Sequence, residues 1–268
     1  MIVAHRGARS VAPENTMAAA RRALELSAGM WELDVRLTRD GHAVVIHDPT
    51  LERTSDAPLR FPARSPWRIR EFTLGELQSL DFGSWFLGDD PFGQIAKGAV
   101  SGSQLSLYRG ERVLTLEDAL AFTVQNHWLV NVEIKDLAGL PGEEKIAARV
   151  AALMVAAGAR ERVLVSSFNH RFLAEIKKLD EHIHTGVLVG SPPADPVGLM
   201  RSLGASTYHP ALRALRPGHV RRLKKAGFPV LAWVVNKAAV ARCLMKCGID
   251  GVFTDFVQKF SRSRQARG

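Results

Sequence analysis

The chain has only two cysteines, Cys243 and Cys247, in 268 residues. No CxxC pair occurs, which argues against thiolate zinc sites, thiol redox chemistry and a disulfide framework. The two lie four apart in a helical pattern and are expected to be buried as small apolar residues. No apolar run reaches the roughly 18 residues that a membrane-crossing helix needs, so no stable membrane insertion is expected. The first residues, Met1-Ile2-Val3-Ala4-His5, already read as a strand and leave no room for a signal peptide; the expected location is the cytoplasm. No GxGxxG follows that strand, which weighs against an open doubly wound sheet. Basic residues outnumber acidic ones by 36 to 27, giving a formal charge of +9, yet no basic run is interleaved with aromatics. Nucleic acid is therefore not an expected partner. The excess is spread over helical stretches and the tail Ser261-Arg262-Ser263-Arg264-Gln265-Ala266-Arg267, and it suits an anionic substrate.

What is present is a rhythm. Hydrophobic residues make up 46% of the chain, enough for one sizeable core. Ile2-Val3-Ala4 is followed by a helical pattern over Asn15 to Ala28, stopped by Gly29, and then by a strand from Trp31. After Thr115, strands and helices alternate without interruption. Strands are expected at Leu129 to Ile134, Val163 to Ser167, Thr185 to Val189, Ser206 to His209, Pro229 to Val235 and Gly251 to Thr254. Helices are expected between them. Eight such units predict a single-domain α/β fold over 1–268, a (β/α)8 TIM barrel. Residues 49–112 break the rhythm. They are rich in Gly, Pro, Arg and aromatics, with one short helix near Thr73 to Leu77, and read as an insertion after the second barrel strand that caps the mouth.

The stretch Trp31 to Asp48 concentrates the polar chemistry. Glu32 and Asp34 are two apart and leave one face of a strand. Asp40-Gly41 reads as a two-residue turn and Ala43 to His47 as the returning strand, a register that sets His47 opposite Asp34. Barrel active sites sit at the C-terminal ends of the strands. There the sequence places His5, Arg6, Glu32, Asp34, Glu133, Lys135, Ser166, Ser167, His209, Trp233, Asn236 and Asp255. Three carboxylates, Glu32, Asp34 and Glu133, with no cysteine nearby form a hard oxygen site that favours one divalent cation, Mg2+, Ca2+ or Mn2+, over zinc. His5 and His47 can serve as acid and base near neutral pH. Arg6 and Lys135 add fixed positive charge. A metal with Arg and Lys is what a phosphoryl group needs, because negative charge builds on its oxygens. The competing reading is a set of salt bridges, such as Glu32 with Arg6.

The sequence resembles the glycerophosphodiester phosphodiesterase family. The resemblance lies in His5-Arg6-Gly7 with Pro13-Glu14-Asn15-Thr16, then Glu32-Leu33-Asp34-Val35 with Thr38, Asp40-Gly41 and His47-Asp48. It continues in Val132-Glu133-Ile134-Lys135, Ser167-Phe168, Trp233-Val234-Val235-Asn236 and Gly248-Ile249-Asp250-Gly251 with Thr254-Asp255. It implies hydrolysis of glycerophosphodiesters to glycerol 3-phosphate and an alcohol. By the same resemblance Glu32, Asp34 and Glu133 would hold the metal, and His5 and His47 would be the acid–base pair. Arg6 and Lys135 would contact phosphate, and Trp233 would face the glycerol. The substrate's own 2-hydroxyl would attack phosphorus, with a cyclic phosphate then hydrolysed. The chain departs from the family where Phe256-Val257 stands in place of a proline after Thr254-Asp255, and over about Phe86 to Arg112.

Two rivals follow from the same residues. The aromatic-rich insertion could shield an acyl chain, which would suit a lysophospholipase D acting on monoacyl glycerophospholipids. A non-catalytic phosphate-binding protein would be expected to lack a histidine or a metal carboxylate, and all five are present. His182-Ile183-His184 resembles a metal-hydrolase HxH, but it precedes its strand and is expected at the far end of the barrel.

Overall fold

The computed structural model describes residues 1–136 and 143–260. The basic tail over 261–267 lies outside the described residues. Strands β1 (Ile2–Ala4), β2 (Met30–Leu37) and β3 (Ala43–Val45) come first, with helix α1 (Met17–Glu25) between β1 and β2. Residues 49–112 then carry four short helices: α2 (Ala57–Arg60), α3 (Leu74–Gln78), α4 (Ser84–Asp89) and α5 (Gly102–Tyr108). Helix α6 (Leu116–Gln125) restores the alternation, followed by β4 (Val130–Ile134), α7 (Glu143–Ala156), β5 (Val163–Ser167) and α8 (His170–Leu179). The last units are β6 (His184–Val189), α9 (Pro196–Ser202), β7 (Thr207–Pro210), α10 (Pro217–Lys225), β8 (Leu231–Ala232), α11 (Ala238–Lys246) and β9 (Gly251–Thr254).

Eight parallel strands run in the order β7-β6-β5-β4-β2-β1-β9-β8. The ring closes between β7 and β8 through the bridges Tyr208↔Val230 and Ala211↔Trp233. Their amides are used: Tyr208 N–H donates to Pro229 O at 2.9 Å and Trp233 N–H to Pro210 O at 3.0 Å. This is the expected (β/α)8 barrel. Strand β8 spans two residues instead of the seven expected, since its ends pair through isolated bridges.

Alternation along each strand separates two interiors. Trp31, Leu33, Val35, Val130, Val132, Ile134, Val163 and Val165 point outward and pack beneath the helices in the largest core cluster. There Trp31 stacks on Trp128 with ring centres 6.0 Å apart and donates from Nε1 to Thr123 Oγ1. Val3, Met30, Leu164, Leu231 and Phe253 point inward and form an apolar plug at the barrel floor. The polar strand-end residues stand above that plug, at the C-terminal mouth.

Thr16 starts α1 by accepting from Ala19 N–H, Thr115 starts α6 by accepting from Asp118 N–H, and Thr73 with Glu76 forms a reciprocal capping box on α3. The insertion has its own small core. Leu51, Ile69, Phe72, Leu77 and Leu80 pack on Val44 and Ile46 of the β3 arm. Phe86 joins the main core, edge-on to Tyr108.

Two expectations need correction. Cys243 and Cys247 are free and exposed, because α11 turns that face to solvent. The hairpin register is also shifted by one: Val35 pairs with Val45 and Leu37 with Ala43. Thr38 N–H donates to His42 O, so the loop holds three residues, Arg39, Asp40 and Gly41, with Gly41 at φ +79°. That is the three-residue turn with a left-handed last position, not the two-residue turn.

Candidate active site

Eight of the residues singled out from the sequence converge on one cavity of about 240 Å3 at the C-terminal mouth. His5, Arg6, Glu32, His47, Glu133, Lys135 and Trp233 line it, and Asp34 lies buried just behind. Asn131 forms part of the floor, and Phe168, Leu188, Val234 and Phe253 give it an apolar side. No residue of 49–112 lines it. The ligand oxygens of Glu32, Asp34 and Glu133 all lie within 4.8 Å of one another. Strand pairing does this: Glu32 sits across from Asn131 and Asp34 across from Glu133 in the β2–β4 ladder.

His47 reaches the cavity by a different route from the expected one. It does not face Asp34 across the ladder, where Ile46 N–H donates to Asp34 O instead. The chain leaves β3 after Val45, Arg36 Nε–H donates to His47 O at 2.9 Å, and the ring swings over the mouth. Each histidine carries an aspartate on the same ring atom. His5 Nδ1 is 2.7 Å from Asp255 Oδ1, and His47 Nδ1 is 2.7 Å from Asp48 Oδ1. Donation from Nδ1–H to a carboxylate leaves each Nε2 as the free nitrogen. Asn236 in turn holds Asp255, donating from Nδ2 to Oδ2 at 2.7 Å and accepting from its N–H.

The turn after β1 is equally specified. Arg6 has φ +56°, and its N–H donates to Glu32 Oε2 at 2.7 Å. Its guanidinium binds Glu14 at 2.9 Å and stands 3.3 Å from Asp34. Asn15 Nδ2 donates to Asp34 Oδ2 at 2.8 Å. Lys135 Nζ lies 2.6 Å from Glu133 and 3.3 Å from Asp34.

These contacts set the charges. Burial opposes ionisation of Asp34, but Lys135 and Arg6 outweigh it and hold the carboxyl below its usual range. Glu32 is driven well above that range by burial and by the Asp34 and Glu133 charges, and Glu133 is raised by burial and Asp34. Burial also lowers the His5 imidazole, against the pull of Asp255. Among the described residues Glu32 Oε1 is buried without a hydrogen-bond partner, and Asp34 Oδ1 has only the Lys135 ammonium beside it at 3.3 Å. Three crowded carboxylates, one with an unpartnered buried oxygen, suit a hard divalent cation, which would relieve their repulsion.

Other candidates fall outside. His209 is fully buried, packed on Phe253 and paired with Thr207 Oγ1 at 2.8 Å; it does not line the cavity. Ser166 accepts from Asn131, and Ser167 donates to Ile134 O. His182 and His184 are exposed at the N-terminal end of β6. The sequence sets Asp255 at the mouth without a histidine to hold, and it gives no role in the site to Glu14, Asn15 or Asp48, which adjoin Arg6, Asp34 and His47.

Over residues 5–259 the sequence matches the Glycerophosphoryl diester phosphodiesterase family. The chain belongs to that family. A relative named glycerophosphodiester phosphodiesterase, from Caldanaerobacter subterraneus subsp. tengcongensis, is 34% identical over 95% of this chain and 93% of its own. Another of that name, from Bacillus altitudinis, is 30% identical over 98% of both chains. An Oleispira antarctica phosphodiesterase solved with the product sn-glycerol-3-phosphate superposes with a TM-score of 0.79 at 28% identity, covering 99% of this chain and 96% of that one. The chain is thus an enzyme of this family, and its fold is that of its relatives. Among the described residues no helix is long and apolar enough to cross a membrane.

Proposed function

We propose that the chain hydrolyses glycerophosphodiesters to glycerol 3-phosphate and an alcohol, with Glu32, Asp34 and Glu133 holding one divalent cation and His5 and His47 exchanging protons. The observation that carries this is the meeting of three carboxylates with two Asp-held imidazoles around one cavity. The cation, Mg2+, Ca2+ or Mn2+, supplies Lewis-acid stabilisation of charge on the phosphoryl oxygens. Arg6 and Lys135 hold the same oxygens by charge-assisted hydrogen bonds. Trp233 and the apolar side receive the glycerol carbons. One histidine takes the proton of the substrate's 2-hydroxyl as its oxygen bonds to phosphorus. The other gives a proton to the departing alcohol oxygen as the P–O bond breaks. Water then opens the cyclic phosphate with the roles reversed.

The monoacyl alternative rested on aromatics placed to shield an acyl chain. Phe72 and Phe86 are fully buried, none of Trp67, Phe72, Trp85, Phe86 and Phe92 lines the cavity, and no observation favours it. The test is hydrolysis of glycerophosphocholine with and without chelator. Release of glycerol 3-phosphate is expected, lost on chelation and restored by added divalent cation. Release of phosphocholine, or activity indifferent to chelation, overturns the reading.

A further inference from the structure

The two aspartates that hold the histidines are not independent. Arg9 lies 3.4 Å from Asp255 and 2.5 Å from Glu14 Oε2. Arg53 lies 2.6 Å from Glu14 Oε1 and 2.6 Å from Asp48 Oδ2. An unbroken chain of alternating charge therefore runs His5–Asp255–Arg9–Glu14–Arg53–Asp48–His47. Glu14 is its centre, buried and also bound by Arg6. Burial alone would push the Glu14 carboxyl up, but the surrounding arginines bring it down to about 2. Arg53 belongs to the insertion and lines no part of the cavity, yet it spans the partner of His47 and the partner of Arg6.

We infer that Arg9, Glu14 and Arg53 form a positioning bridge that fixes both histidines together, and that the insertion takes part in the reaction through Arg53. The reasoning is geometric. A carboxylate that accepts from a histidine Nδ1–H must itself be held, or the ring is free to turn and change tautomer. Asp48 is held by Arg53, and among the described residues no hydrogen bond to its carboxylate comes from the barrel strands. The fork of Arg53 serves two carboxylates at once, from Nε to Asp48 and from NH2 to Glu14. A lysine is a single point of charge and cannot reproduce that. Because Glu14 is shared, loss of Arg9 or Arg53 loosens the same centre, and their effects should overlap.

This rests on the hydrolysis proposed above, and the experiment separates the two. If the wild-type enzyme with divalent cation releases no glycerol 3-phosphate from glycerophosphocholine, that reading fails. If it does, R53Q is expected to lower kcat by about 10–100-fold with KM within about threefold, as for other groups that orient a catalytic side chain. R53K is expected to recover only part of the loss while folding as wild type. R9Q with R53Q is expected to cost less than the product of the two single losses. Spectra of 15N-histidine protein should show both rings as the Nδ1–H tautomer in the wild type, and a change at both rings in R53Q or R53K. A kcat within threefold of wild type in both Arg53 variants, losses that multiply independently, or unchanged histidine tautomers would each overturn the bridge.

Discussion

Asp34 and Glu133 are direct partners across the β2–β4 ladder, yet their carboxyls are displaced in opposite directions. Burial weighs on both. Asp34 lies near two cations, Lys135 and Arg6, which more than offset it. Glu133 meets the Asp34 charge and is raised despite its own contact with Lys135. Neighbouring carboxylates kept this close favour a bound cation. Added Mg2+, Ca2+ or Mn2+ is expected to raise the melting temperature, by about 2–4 °C for each kcal/mol of binding linkage in a chain of this size. Glu133→Gln is expected to lose most of that rise in differential scanning fluorimetry. A wild-type melting point that no divalent cation moves would rule out the centre.

Loss of a proton-transfer group or a ligand costs rate directly. His47→Ala and Glu133→Ala are each expected to lower kcat/KM at least about 100-fold. Circular dichroism identical to wild type must accompany the loss. Near-normal rates in such folded variants would remove those assignments.

Chemistry through the substrate's own hydroxyl makes a separate demand. A diester identical to glycerophosphocholine but lacking the 2-hydroxyl is expected to bind and not turn over. Normal turnover would discard the cyclic-phosphate route and leave direct attack by water.

The turn that presents His5 and Arg6 depends on Gly7. This residue has φ +76°, and a Cβ there would lie 2.7 Å from the Ala19 backbone carbon. Its N–H also donates to Glu32 O at 3.2 Å. Gly7→Ala must push α1 or the turn aside. It is expected to cost about 1–3 kcal/mol in urea unfolding and to lower activity along with it. A variant with wild-type stability and rate would show that the turn tolerates the change.

His209 makes a prediction about acid. Burial lowers its pKa to about 3. In the unfolded chain it titrates near about 6.5. Below that value the unfolded state takes up a proton that the folded state refuses. The stability is therefore whole above pH about 6.5 and is lost as the pH falls toward about 3. Between pH 6.5 and 5 this one group accounts for about 2 kcal/mol. His209→Gln should show a correspondingly smaller drop in urea-unfolding free energy over that interval. An equal drop in both proteins would assign the acid sensitivity elsewhere.

Periodicity made the barrel legible. Period-2 strands such as Val163–Ser167 and Gly251–Thr254, and helix His170–Leu179, were bounded by strong punctuation and match residue for residue. The site was legible because barrel geometry collects strand ends at one mouth, so Glu32, Asp34 and Glu133 needed only their strand positions. His47 was less so. Its approach depends on a three-residue turn and on where β3 stops, and both are settled by contacts with Arg36 and the 113–115 segment. Asp48, Asp255 and Glu14 stand within the motifs, but nothing local says that a carboxylate such as Asp255 will turn toward a histidine 250 residues away in sequence. The exposed cysteines of α11 show the limit of composition: burial follows from which helix face meets the sheet, and their spacing alone does not give it.

Residues 49–112 leave and rejoin the barrel at a single point. Val44 bridges Thr115, and Val45 N–H donates to Leu114 O at 2.8 Å, so the two ends of the excursion lie side by side. Lengthening a segment attached in this way costs little, about 0.6 kcal/mol for each doubling. It is a natural exchange point: segments of other lengths could be spliced there, provided that they bring an apolar face for Val44 and Ile46 and a guanidinium at the position of Arg53.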